Sequence, residues 1–399
     1  MRFGDAIAVA VLCLAGSQAP AWAGRSEWSG EAALEARYFP EPPLSPVQHG
    51  DNLSVSARPE YYREWDGGRQ AFRVELFGRA DQGDDERTRA DVRELSWTYA
   101  GGDWELTAGI GRVFWGVTES LHLVDIVNQT DQVENPDGED KLGQPMIRVA
   151  LIRDWGTVEA FVLPYFRERT FPGPRGRLWP AVPLAPAVYE SPRRRRHVDA
   201  ALRWSHATGI WDLGLSVFRG TSREPRFAVV LDPLGRIQAI VPVYEIIDQV
   251  GVDLQATVDA WLWKLEWIRR RGQGPDFDAL AAGFEYTFYG VRDTPADVGL
   301  VVEYLYDGRD DPFQAPFAND VFVGLRLALN DVQTTELLAG VIADLDTDER
   351  FYSIEASRRV GERWTVSLEG RWFSGGPALS LVNVLRNDDY LQLEVTRHF

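Results

Sequence analysis

Residues Asp389 to Phe399 read DYLQLEVTRHF, and this last stretch decides the fold of the chain. The apolar side chains fall on one face of a β-strand, as a two-residue period requires: Leu391, Leu393, Val395 and Phe399. A strand that ends the chain needs a hydrogen-bonding neighbour on each edge, and closing the sheet into a barrel supplies both. We therefore expect this strand to pair with the first strand of the chain.

The other end of the sequence has the pattern of a secretory signal peptide, assigned to residues 1–23. It carries Arg2, an apolar run over residues 6–15 and the A-x-A cleavage sequence Ala21-Trp22-Ala23. The mature protein is expected to begin near Gly24. Because Cys13 is the only cysteine, the mature chain would have no thiol for catalysis or metal binding.

The composition fits a membrane barrel better than a soluble domain. A net charge of −18 and a pI of about 4.8 exclude nucleic acid as a partner. Aromatic residues make up 12% of the chain and include 15 Trp, which suits the aromatic belts at the two lipid interfaces of a barrel. After the signal peptide, no run of about 18 uncharged apolar residues predicts a spanning helix.

Alternating segments continue through the mature chain and predict an all-β fold, a transmembrane antiparallel β-barrel of about 16 to 18 strands over residues 24–399. Short turns such as 66–68, 101–102 and 259–260 are expected to face the periplasm, and the long loops at 114–143, 167–196 and 220–247 to face outward. Aromatic residues beside the short turns predict a periplasmic girdle: Trp97, Tyr99, Trp104, Trp204, Trp211, Trp261, Trp263 and Trp364. The alternative is a soluble β-sandwich with scattered aromatic residues.

The alternating last strand and its terminal phenylalanine resemble the porin-like β-barrel proteins of the Gram-negative outer membrane. Arg397 departs from that pattern, because it takes an outward position that is usually apolar. The resemblance implies that Phe399 is an assembly signal read by the barrel assembly machinery, and that the protein resides in the outer membrane among lipid and lipopolysaccharide. Residues 111–116, GRVFWG, and the acidic, Asn-rich stretch after them resemble an uncharacterised proteobacterial group of such barrels, which implies no particular substrate.

The opposite face of the strands is charged, which predicts a lumen that holds water or a polar plug. The alternative is a wall of mutually paired charges that only supports the barrel. Candidate lumen-wall residues are Arg73, Arg148, Arg203, Glu303, Arg326 and Arg371.

Residues 114–143 form an unusually long connection that stops alternating. Loops of this length are uncommon unless they have a function, and in diffusion porins one long loop folds inward and narrows the pore. The sequence does not decide between such a constriction and an extracellular loop packed on the rim. The candidate constriction residues are Glu119, Asp125, Asn128, Gln129 and Asp131.

Four consecutive arginines, Arg193, Arg194, Arg195 and Arg196, end the second long loop. Guanidinium groups bind phosphates and carboxylates bidentately. We expect contact with lipopolysaccharide phosphates at the rim, and the alternative is capture of an anionic substrate.

The sequence favours an outer-membrane channel for passive diffusion of small polar or amphipathic solutes, with ion transport. An alternative is a substrate-specific uptake or export barrel for hydrophobic or polymeric compounds. An outer-membrane hydrolase is the third hypothesis, based on His197 with Asp199 and on Ser120 with His122. No catalytic, cofactor or metal site is expected, and a homo-oligomer is left open.

Overall fold

A computed structural model describes residues 24–311 and 313–399, so the predicted signal peptide lies outside the described residues. Elements are numbered in chain order. The strands of the barrel are β1 (Ser26–Tyr38), β2 (Asn52–Trp65), β3 (Gln70–Asp81), β4 (Arg89–Ala100), β5 (Trp104–Gly111), β6 (Gln144–Arg153), β7 (Gly156–Leu163), β9 (Asp199–Thr208), β10 (Trp211–Thr221), β13 (Ile246–Val258), β14 (Trp261–Arg271), β15 (Phe277–Phe288), β16 (Asp297–Asp307), β17 (Asn319–Ala328), β18 (Glu336–Asp344), β19 (Arg350–Val360), β20 (Trp364–Ser374) and β21 (Tyr390–His398).

Three further strands lie in the connections: β8 (Val188–Tyr189), β11 (Arg226–Leu231) and β12 (Ile237–Tyr244) form a small separate sheet. The one α-helix of the described part is α1 (Leu381–Val384). No helix in residues 24–311 or 313–399 has the length and apolar character needed to cross a membrane.

The eighteen barrel strands pair antiparallel in sequence order, and β21 pairs with both β20 and β1. At this seam Tyr38 lies opposite Leu391 and Glu31 lies opposite His398. The backbone N–H of Gly30 donates to the carbonyl of Phe399 (3.1 Å), and the N–H of Phe399 donates back to Gly30 (3.0 Å). The predicted closed barrel is confirmed, and the strand number is the upper value expected.

The two faces of the wall differ in character. The outer face is apolar: the side chain of Leu393 on β21 is 47% exposed, and that of Phe399, directly after β21, is 62% exposed. Arg397 also points outward, where its guanidinium lies 5.7 Å from the ring centroid of Trp364. The inner face carries buried charged side chains, among them Glu35, Glu75, Arg203, Asp253, Glu266, Glu303 and Arg371.

The two ends of the barrel differ in the length of their connections. At one end, here called the short-turn end, the connections are mostly tight; the first uses Asp66, Gly67 and Gly68, all with positive φ, which glycine adopts without steric cost. The opposite end, the long-loop end, carries residues 39–51, 112–143, 164–198, 222–245, 308–318 and 375–389. The long loops were expected, but the hairpin β11–β12 within 220–247 was not.

Candidate pore constriction

The long connection after β5, residues 112–143, runs into the barrel and is called the inward loop. The Arg326 guanidinium on β17 donates to the Glu119 carboxylate in this loop at 2.6 Å. Lys264 on β14 lies 3.5 Å from the same carboxylate. Since β17 is the ninth barrel strand after β5, the loop reaches the diametrically opposite wall.

Two buried glutamates of that wall hold the outgoing half of the loop. Glu303 on β16 accepts from the backbone N–H groups of Glu119 (2.8 Å) and Ser120 (2.9 Å) and from the Ser120 hydroxyl (2.5 Å). Glu266 on β14 accepts from the loop at four donors, the N–H groups of residues 117, 118 and 124 and the hydroxyl of Thr118. Buried carboxylates need such partners, and here the loop supplies them.

The returning half of the loop is fixed by arginines on the strands nearest its origin. The guanidinium of Arg93 on β4 donates to Asp131 at 2.5 Å, and Arg89 also donates to this carboxylate. Arg79 on β3 lies 2.9 Å from Glu134. Both Asp131 and Glu134 are buried, so these ion pairs fix the position of the loop more firmly than exposed pairs would.

The middle of the loop packs against one side of the lumen. Trp115, Val124, Ile126 and Val127 are buried in one apolar cluster with side chains of the wall, including Phe161 on β7, Phe218 on β10 and Ile268 on β14. The ring centroids of Trp115 and Phe161 lie 5.6 Å apart, edge to face. The loop therefore fills the part of the lumen beside β7 to β14.

On the other side of the loop a cavity of about 570 Å³ lies against β17 to β21, toward the short-turn end. It is called the acidic cavity, because eight carboxylates and only one base, Arg326, line it among the described residues. Its acidic lining residues are Glu119, Asp137, Glu139, Asp140, Glu336, Glu355, Glu369 and Glu394.

Two loop carboxylates of this cavity have pKa values near neutral pH. Burial inside the barrel and the nearby charge of Glu369 raise the pKa of Asp137 to about 7, although a fifth of its side chain is exposed. Burial, with the charges of Glu134 and Asp131, raises the pKa of Asp140 to about 6. Like charges held together disfavour ionisation, so this set of acids would lose charge as the pH falls below neutrality.

The five candidate constriction residues have different environments. Glu119 borders the acidic cavity, whereas Asp125 and Asn128 line a smaller cavity on the long-loop side of the inward loop. Gln129 and Asp131 are completely buried. The Asn128 amide donates to the carbonyls of residues 111 and 142 and so joins the two ends of the loop. A constriction role for these residues stays a prediction.

The lumen-wall candidates divide into two groups. Arg73, Arg148 and Arg203 pair with carboxylates of other strands. Arg73 lies 3.7 Å from Glu94 and Arg148 donates to Glu159 at 2.7 Å, both on the adjacent strand, whereas Arg203 reaches across β10 and donates twice to Asp253 at 2.7 Å. Glu303, Arg326 and Arg371 instead contact the inward loop. Sequence reasoning missed Asp137, Glu139 and Asp140, although the acidic run in residues 137–140 was a visible signal.

The arginines Arg193 to Arg196 lie exposed at the long-loop end, where residues 194–196 form a 3₁₀ turn. Arg195 pairs with Glu168 at 2.6 Å. For the other three, no carboxylate of residues 24–311 or 313–399 lies within ion-pair distance. Their contact with lipopolysaccharide stays a prediction.

The structure separates the two candidate catalytic pairs differently: Ser120 bonds to a residue other than His122, whereas His197 and Asp199 are in contact. The Ser120 hydroxyl donates to Glu303, and the nearest acid to His122 is Glu139 at 3.7 Å. His197 contacts Asp199 at 2.7 Å, but that carboxylate also accepts from Arg223 at 2.6 Å. In the part of the chain that the structure describes, no group of His, Cys, Asp and Glu side chains has the arrangement of a metal site.

Comparison with known proteins gives similarities of structure only. The chain is similar to a variant of the porin from Rh. blastica, with 13% identity, a TM-score of 0.46 and coverage of 94% of this chain and 100% of the other. It is also similar to the outer-membrane expressed OmpT of Vibrio cholerae, with 10% identity, a TM-score of 0.45 and coverage of 94% and 98%. No family model matches the chain, and no curated protein matches it.

Proposed function

We propose that the protein is an outer-membrane channel through which small polar solutes diffuse, with a preference for cations. The observation that carries this proposal is the acidic cavity, which lies inside a barrel with an apolar outer face. A surface of one charge within low-dielectric walls concentrates counter-ions. Eight carboxylates line this cavity, and they outnumber its bases even when Arg371 and Lys264, which pair with some of them from outside the lining, are counted, so the cavity would favour cations.

The inward loop supports the proposal because the larger of the two cavities described beside it, the acidic cavity, lies between the loop and one part of the wall. Apolar contacts cover the side toward β7 to β14, and the acidic cavity lies toward β17 to β21. A solute that crosses the barrel would pass close to Glu119, whose side chain is 22% exposed.

The proposal includes the partners expected from the sequence. Outer-membrane lipid would cover the apolar face, lipopolysaccharide phosphates would contact the exposed arginines Arg193, Arg194 and Arg196, and the barrel assembly machinery would read Phe399. Each of these ligands suits the chemistry of the surface that would bind it.

Planar-bilayer recording of the refolded protein tests the function. We expect conductance and, in a KCl gradient, a reversal potential that indicates cation preference. Glu336 and Glu394 line the acidic cavity and form no ion pair with another described residue, so the double variant Glu336→Gln, Glu394→Gln should lower that preference while leaving the fold intact. Asp331→Asn, in a short turn outside the cavity, is the control. A protein that inserts but does not conduct would contradict the proposal.

A further inference from the structure

A second cavity, of about 170 Å³, lies on the other side of the inward loop, toward the long-loop end. We call it the basic cavity, because five lysine and arginine side chains, together with His122, line it against three carboxylates: Lys141, Arg169, Arg223, Arg270 and Arg309 against Asp125, Glu224 and Asp307. Its volume is several times the roughly 30 Å³ that one water molecule occupies in the liquid.

Most of these bases have a carboxylate partner. Arg270 donates to Glu224 at 2.9 Å, Arg309 donates to Asp307 at 2.6 Å and Lys141 lies 3.2 Å from Asp125. Burial opposes the ionisation of Glu224, but Arg309, Arg270 and Arg169 outweigh it and lower its pKa to about 2. Each acid of this cavity therefore already forms an ion pair with one of the bases around it.

Arg169 differs from the others, because no carboxylate of the described chain lies within ion-pair distance of it. Its guanidinium donates only to neutral acceptors, the carbonyl of Arg223 at 3.1 Å and the side-chain oxygen of Gln129 at 3.4 Å. Burial lowers the pKa of Arg169. The negative charge of Glu224 acts on Arg169 from a longer distance but is shared with Arg270 and Arg309. Arg169 therefore has no carboxylate of the described chain in contact with it, and a partly buried cation without such a partner is costly.

Arg223 supplies a second unsatisfied group. This residue is 3% exposed, and its Nη1 donates to Asp199 at 2.6 Å. Its Nη2, however, has no hydrogen-bond partner among residues 24–311 and 313–399. Buried donors are normally satisfied, so Arg223, which lines the cavity, has one guanidinium nitrogen that lacks an acceptor.

We propose that the basic cavity is a binding site for a small oxyanion, such as phosphate or a carboxylate, held by Arg169 and Arg223. Guanidinium groups match the geometry of such oxyanions and bind them by charge-assisted hydrogen bonds. The anion would supply the contacting ion-pair partner that Arg169 lacks and the acceptor that Arg223 Nη2 lacks. The cavity lies within the barrel, lined on the wall side by Ile268 and Phe277, so a free anion rather than a lipid headgroup is the ligand.

Isothermal titration of the refolded full-length barrel with inorganic phosphate tests this site, with chloride at matched ionic strength as the reference. We expect saturable phosphate binding at one site, weakened at least tenfold by Arg169→Gln. The matched control is Arg193→Gln, which removes an exposed arginine outside the cavity and should leave binding unchanged. The shift in gel mobility on boiling verifies that each variant is folded.

Two results would overturn the proposal: phosphate binding no stronger than that of chloride, or equal binding by the wild type and Arg169→Gln. Because the titration measures binding and not current, its result does not depend on whether the barrel conducts ions. A barrel that binds phosphate but does not conduct would refute the proposed function alone.

Discussion

Phe399 joins the last strand to the first through its backbone, while its side chain points away from the barrel. Both hydrogen bonds to Gly30 are made by main-chain atoms, and the ring is 62% exposed. The substitution Phe399→Ala therefore keeps the seam and removes only the group that the assembly machinery would read. We expect a reduced amount of protein in outer membranes, with the unfolding free energy of the purified barrel changed by no more than about 1 kcal/mol.

The control for this prediction is Val395→Ala, which removes an outward apolar group from the same strand without touching the terminus. Membrane levels are measured by fractionation and gel mobility without boiling. Equal levels of wild type and Phe399→Ala would show that the terminal ring is not an assembly signal.

The ionisation of Asp137 makes the charge of the acidic cavity depend on pH. Its raised pKa, about 7, means that it is ionised above neutrality and loses its charge as the pH falls through 7, and Asp140 follows near 6. We therefore expect cation selectivity to fall between about pH 8 and pH 5. Reversal potentials in a KCl gradient measure this change. Asp137→Asn should remove the part of this change that occurs near pH 7. If the pH dependence of cation selectivity were the same in wild type and Asp137→Asn, Asp137 would not be the group that titrates near pH 7.

Contacts with the opposite wall of the barrel fix the position of the inward loop. Glu303 accepts three hydrogen bonds from residues 119 and 120, and bonds to a charged group contribute about 1.5 to 3 kcal/mol each. The variant Glu303→Ala should release this part of the loop while leaving the backbone ladder of β16 intact. Single-channel recordings should then show larger and fluctuating conductance.

Glu336→Ala provides the comparison, because Glu336 also faces the acidic cavity but makes no hydrogen bond to the loop within the described residues. If both variants conduct with the same steady amplitude as wild type, the inward loop does not narrow the pathway.

The strands could be predicted from the sequence and the path of the loop could not, for one physical reason. Alternation is local, so each of the eighteen strands was recognisable within about ten residues. The position of the loop depends on pairs such as Glu119 with Arg326, which are 207 residues apart. The hairpin β11–β12 was missed because its apolar residues, such as Val229, Val230 and Leu231, do not alternate with polar ones.

For the molecule as a whole, the inward loop separates two regions of opposite charge. Acids predominate in the cavity toward the short-turn end, and arginines predominate in the cavity toward the long-loop end. The charge asymmetry thus has an axial component, along the direction in which a solute would travel, although the two cavities also lie against different parts of the wall. An anion would meet complementary positive charge in the basic cavity, on the long-loop side of the inward loop. A cation would meet complementary negative charge in the acidic cavity, on the short-turn side.

The outer surface of the whole barrel provides the test of membrane insertion. Leu215 on β10 and Leu234 in the connection between β11 and β12 are both exposed, at 50% and 77%, but only Leu215 lies in the middle of a barrel strand. If the barrel spans a bilayer, Leu215→Arg places a charge in hydrocarbon and should lower the unfolding free energy in lipid vesicles by about 2 to 4 kcal/mol. Leu234→Arg, in a loop beyond the wall, should leave it within about 0.5 kcal/mol of wild type. Equal effects of the two substitutions would mean that water, rather than lipid, covers the outer face.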